Sequence, residues 1–145
     1  MMFALGVAVF AGLWVYAIVT RKSGLQKLAD LAEEVRPRGG QVFRTTLQGE
    51  PRVFLLDKCT LYSLDVSDTE IERTEALSTD FYFFLDVCGK QTIEMEGEYL
   101  RVFFSTQAIG AGGGNTTGGD YRSKDGLFWE KRSGNEWVPR KEAQR

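Results

Sequence analysis

The chain has 145 residues, with 18 Lys and Arg against 20 Asp and Glu, and no histidine. A net charge of −2 gives no basic face for nucleic acid, and the lack of histidine removes the commonest general base and metal ligand. Two cysteines, Cys59 and Cys88, are too few for a zinc site and leave either buried thiols or one disulfide.

The chain opens apolar. Met2 to Val19 carries no charge and no polar side chain beyond the Tyr16 hydroxyl, and Thr20-Arg21-Lys22 ends the run. As a helix rising about 1.5 Å per residue it is roughly 27 Å long, close to a bilayer's hydrocarbon thickness. Residues 1–20 are therefore expected to form a transmembrane helix, with the lipid bilayer as the partner of residues 2–19. No Lys or Arg precedes the run, and no small-x-small site closes it, so a retained anchor is favoured over a cleaved leader. Arg21, Lys22 and Lys27 all lie on the C-terminal flank, which favours a cytoplasmic domain with reduced cysteines. Export would instead leave Cys59 and Cys88 as a disulfide.

Residues 21–40 read as a juxtamembrane amphipathic helix and a Pro/Gly hinge. Leu25, Leu28, Ala32 and Val35 recur at helical spacing, Pro37 stops the pattern, and Gly39-Gly40 follows as the hinge. This helix is expected to continue the membrane helix, with a weak point at Gly24. Its stripe either packs on the domain or gives a seam for self-association through 25–35, although two heptads are too few for a coiled coil alone.

Residues 41–140 read as a β-rich soluble domain, and 141–145 as a charged tail. Strands are expected over 41–47, 52–57 and 58–65. Ser67-Asp68-Thr69 either caps a short helix up to Leu77 or starts an irregular connection. The apolar run 80–87 is expected to be a central strand, followed by a turn at Gly89-Lys90. Strands over 92–96 and 99–105 then make an antiparallel meander, with Ile93 and Met95 inward and Glu94 and Glu96 outward. After the glycine-rich stretch 107–120, Asp125-Gly126 and Ser133-Gly134-Asn135 signal two hairpins. The second would set Trp129 against Trp137 across the strands. The sum is an α+β chain: a transmembrane helix extending into an amphipathic helix, then a small, mainly antiparallel domain built as a curled sheet, open barrel or sandwich. A parallel α/β fold is excluded, because no crossover helices separate the strands.

The glycine-rich segment lacks the Lys of a phosphate-binding loop and does not open a helix, so it reads as a strand connection or a partner-binding loop. The carboxylates Glu94, Glu96, Glu98, Asp65, Asp68, Asp80 and Asp86 fit solvated strand faces better than a catalytic pair. No residue is assigned as catalytic, cofactor-binding or metal-ligating, and no cofactor is expected. Candidate partner-binding residues are Phe128, Trp129, Arg132, Trp137 and Arg140 near the C-terminus, types enriched in interface hot spots, with Asn115, Thr116 and Thr117 in the glycine-rich stretch. The expected function is a non-catalytic, membrane-anchored protein-interaction module. It would serve as an accessory subunit of a membrane complex or as an inhibitor or immunity-type binding protein. The alternatives are an exported, disulfide-containing β domain binding a small ligand or envelope polymer, and, less favoured, a small carboxylate-dependent enzyme.

Overall fold

The computed structural model describes residues 22–79, 86–108 and 115–140. The expected membrane helix over 1–20, most of the apolar run 80–87, the first half of the glycine-rich stretch and the tail 141–145 lie outside the described residues. Among the described residues no helix is long and apolar enough to cross a membrane.

The domain is mainly antiparallel β, with two sheets and one short helix. Helix α1 (Gly24–Val35) is followed by a single 3-10 turn (Arg36–Arg38). Strands β1 (Gln41–Leu47), β2 (Glu50–Asp57), β3 (Thr60–Val66) and β4 (Ile71–Ser78) form one meander in that order. Strands β5 (Asp86–Glu96), β6 (Tyr99–Ala108), β7 (Asn115–Ser123), β8 (Glu130–Ser133) and β9 (Glu136–Pro139) form the second. Of the three architectures left open by the sequence, the sandwich is the one formed. Leu47, Phe54, Leu56, Leu61 and Leu77 of the first sheet meet Ile93, Leu100, Val102, Phe104 and Tyr121 of the second in one buried cluster.

The outer face of the first sheet is also apolar, and α1 covers it. Leu28, Leu31 and Val35 pack on Leu55 and Leu64, flanked by Val42, Val53, Tyr62 and Ile71. The amphipathic stripe is thus occupied by the domain itself, while Leu25 stays exposed. The helix starts at its own cap and does not run on from the residues before it. Ser23 is extended, its Oγ accepts from the Gln26 N–H, and the Gln26 side chain accepts from the Ser23 N–H. Gly24 is needed because a Cβ there would overlap the Ser67 carbonyl oxygen. Its N–H donates to Asp68 O at 2.8 Å. The expected hinge residues Gly39-Gly40 are hydrogen-bonded to the end of the helix. Gly39 N–H donates to Arg36 O and Gly40 N–H to Val35 O, which closes the helix against β1.

Three further local expectations change. Ser67 begins a tight turn instead of a helix, its Oγ accepting from the Glu70 N–H, and 71–78 is strand β4 at the sheet edge. Only Leu77 of β4 is fully buried, which is why the segment looked too polar for a core element. Gly89-Lys90 is not a turn; β5 runs through it with a bulge between Cys88 and Lys90. Met95 lies on the inward row but near the strand end, and remains exposed.

The two ends of the sandwich differ. At one end the Lys58–Cys59 turn between β2 and β3 meets the start of β5 through a Cys59–Cys88 disulfide. Both turn residues have positive φ, 50° and 56°, as a two-residue type I′ hairpin requires. Gln91 reinforces the link: its Oε1 accepts from the Cys59 N–H and its Nε2 donates to Gly39 O, each at 2.8 Å. At the opposite end the chain enters at Lys22, α1 begins beside Val66 and Ser67, and β1 turns into β2 after Leu47. The β7–β8 connection comes down on this end, with Gly126 against Leu47 and Phe54.

Candidate functional site

Nothing among the described elements packs over the outer face of the second sheet. Register fixes what it presents. Thr92, Phe103 and Asp120 make one cross-strand row, and Glu94, Arg101, Arg122 and Glu130 the next. Alternation along β6 explains this: Leu100, Val102 and Phe104 go to the core, so Tyr99, Arg101 and Phe103 face out. A shallow depression of about 300 Å³ lies in the middle, lined by Lys90, Thr92, Glu94, Arg101, Phe103 and Asp120.

The two arginines stand directly opposite each other on β6 and β7, and each has its own counter-charge. Arg101 bonds Glu96 at 3.0 Å and Asp120 at 3.1 Å. Partial burial works against its charge, but the hydrogen bond to Asp120 and the two carboxylates outweigh this and raise its pKa. Arg122 bonds Glu130 at 2.6 Å and is held between two aromatic rings, 4.3 Å from the Tyr99 centroid and 4.4 Å from that of Trp137. Its guanidinium is thus held against two rings at the surface, and an arginine restrained in this way loses less entropy on contact with a partner.

The candidate residues from the sequence separate in space. Arg132 and Trp137 lie on this outer face, paired across β8 and β9. Trp129 lies elsewhere: it is buried in the inter-sheet core, and its register leaves no Trp129–Trp137 pair. The strand expected to carry Trp129 starts only at Glu130, so 124–129 is an irregular connection. Phe128 projects from that connection and is 77% exposed. Arg140 is turned to the other face, 5.6 Å from the Tyr121 centroid, with its N–H on Trp129 O. Thr117 serves the sheet, where its N–H donates to Thr106 Oγ1 beside a bulge in β6. Asn115 and Thr116 start β7, and their side chains lie outside the described residues.

The described carboxylates do not converge, and Asp80 and the side chain of Asp86 lie outside the described residues. Glu94 and Glu96 share the outer face with Arg101, and Glu98 pairs with Lys124 at 2.6 Å. Asp65 and Asp68 lie at the end of β3 and in the turn after it, on the first sheet. Among the described residues no cluster of three or more Cys, Asp or Glu is placed to hold a metal ion. Sequence reasoning missed Tyr99, Arg101, Phe103 and Arg122. The available signal was the alternation on β6 and β7, which puts aromatic and arginine side chains on one face. Comparison with protein-family models, curated proteins and solved structures found no match.

Proposed function

We propose that this protein is a non-catalytic binding module, held at a membrane by residues 2–19 on the oxidising side, that engages a partner protein through the outer face of its second sheet. The observation that carries the reading is Arg122, stacked between Tyr99 and Trp137 on a sheet face that no described element covers. Aromatic and arginine side chains held rigid before contact are what protein interfaces use as anchors. The Cys59–Cys88 bond supports the compartment, since such bonds persist where the surroundings are oxidising. The flanking cations Arg21, Lys22 and Lys27 argue the other way. They bias insertion only statistically, and in the fold Lys22 pairs with Asp30 while Lys27 donates to Thr69 O.

Photo-crosslinking from native membranes tests this. A photoreactive phenylalanine analogue at Phe103 is expected to give one discrete adduct, lost when Arg122→Ala is added. The same analogue at Glu33, on the exposed side of α1, should give none. Equal labelling from both positions would end the reading. Maleimide labelling before and after reductant checks the compartment separately, and cysteines that react without reductant would place the domain on the reducing side.

A further inference from the structure

The β7–β8 connection presents two bulky apolar side chains to solvent in succession, Leu127 at 54% and Phe128 at 77% exposure. It is not a loose tip. Asp125 Oδ1 accepts from the Leu127 N–H at 2.8 Å, from the Phe128 N–H at 2.9 Å and from the Ser123 hydroxyl at 3.0 Å. Ser123 Oγ in turn accepts from the Gly126 N–H, and Trp129 plugs the following residue into the core. The fold therefore spends a buried hydroxyl, a carboxylate and a tryptophan on holding two apolar side chains outward. Water alone gives no reason to hold them there.

Their place in the fold says what covers them. Gly126 packs on Leu47, where β1 ends, and this is the end at which α1 starts beside Val66 and Ser67. Leu25, 65% exposed, also belongs to this end. Only Thr20, Arg21 and Lys22 separate the apolar run from the Ser23 cap. Three residues span at most about 10 Å. If Met2 to Val19 crosses a bilayer, the bilayer surface lies within that reach of the end carrying Leu127 and Phe128. The charges there are of both signs: Lys124 pairs with Glu98, and Glu50, Asp68 and Glu70 are exposed. Contact would therefore be apolar insertion that does not depend on anionic headgroups.

We propose that Leu127 and Phe128 insert into the bilayer interface as a second membrane contact. This rests on the reading of residues 2–19 as a membrane span. Two contacts fix the tilt of the domain: the strands stand up from the membrane, and the outer face of the second sheet is presented sideways along it, towards a partner in the same membrane.

The test uses the full chain in phosphatidylcholine nanodiscs, with Phe128→Cys carrying an environment-sensitive NBD label and the native cysteines left bonded. Asn135→Cys, in the β8–β9 turn at the far end, is the control, and Leu127→Cys repeats the measurement beside the first site. The expected result is a several-fold rise and blue shift of NBD emission at 127 and 128, quenched by lipids carrying a nitroxide near the headgroup, with no change at 135. If the chain co-migrates with the discs but the label at 128 emits as in water, the insertion is wrong while the anchor stands. A dry label that lipid-borne quenchers do not reach would mean a contact with a second copy of the chain, and also overturns it. A chain that does not co-migrate with the discs at all would refute the anchor reading and this inference with it.

Discussion

The two sheets of the sandwich share a core but differ on their outer faces. β2 reads Val53-Phe-Leu-Leu56 without a polar break, so both of its faces are apolar, and α1 covers the one that the second sheet does not. β6 alternates instead: Leu100, Val102 and Phe104 face in, and Tyr99, Arg101 and Phe103 face out. A strand buried on both faces needs a third layer, whereas an alternating one can leave its outer face in water. The first sheet thus has its outer apolar surface covered by the chain itself, whereas the second has a polar, aromatic outer face that no described element covers.

The bond joining the two halves offers the largest way to break that comparison. Cys59 and Cys88 are 29 positions apart, and a cross-link closing a loop of that length restricts the unfolded chain by about 3–4 kcal/mol. Replacing both cysteines by serine should lower stability by that amount in urea unfolding. The Gln91 bonds to Cys59 and Gly39 should keep the folded structure recognisable. A loss under about 1 kcal/mol would mean that the sheets hold their relation without the cross-link.

Truncations on the two outer faces should then diverge. Leu28 is fully buried between α1 and the first sheet, so Leu28→Ala is expected to cost about 3 kcal/mol. Arg101→Ala, on the open face, removes a partly exposed ion pair and should cost about 1 kcal/mol or less. Similar costs at the two sites would erase the distinction between a covered and an open face.

Gly24→Ala sharpens the same contrast at the helix end. On propensity alone alanine should stabilise α1 by roughly 1 kcal/mol. Here its Cβ would overlap the Ser67 carbonyl oxygen, so lifting the helix off the β3–β4 turn should give a net loss of about 2 kcal/mol. A gain in stability on thermal unfolding would show that α1 is not seated at this end.

Periodicity made the meanders legible. β1 falls on its expected bounds, β2, β3 and β6 are placed by alternation with ends that differ by one to three residues, and the amphipathic stripe of α1 follows from its spacing. What was not legible depended on tertiary partners. β4 has only Leu77 fully buried and sits at an edge, so its sequence carries little strand signal. Lys58-Cys59 is not a turn pair that sequence rules favour; the positive φ at Cys59 is held by contacts with Cys88 and Gln91, far along the chain. The candidate surface was half legible. Arg132 and Trp137 are on it, but Trp129 was assigned to a strand, and Asp125 kept that strand from starting before Glu130.

Asp125 gives the smallest expected effect and bears on the loop at the chain-entry end. Burial disfavours its charge, but the N–H groups of Phe128 and Leu127 and the Ser123 hydroxyl outweigh that and hold its pKa below the ordinary carboxylate value. A folded-state pKa below the unfolded one means the carboxylate stabilises the fold at pH above the ordinary carboxylate range. That contribution is lost as pH falls through the lower, folded value. Asp125→Asn keeps the shape and one acceptor oxygen but has no charge to titrate. At neutral pH it should cost about 1 kcal/mol, since hydrogen bonds to a charged acceptor weaken to neutral ones. On acidification the wild-type and variant unfolding curves should converge, because protonated Asp125 loses the same advantage. If the stability gap stays constant through the acid range, the carboxylate charge is not what holds Leu127 and Phe128 in place.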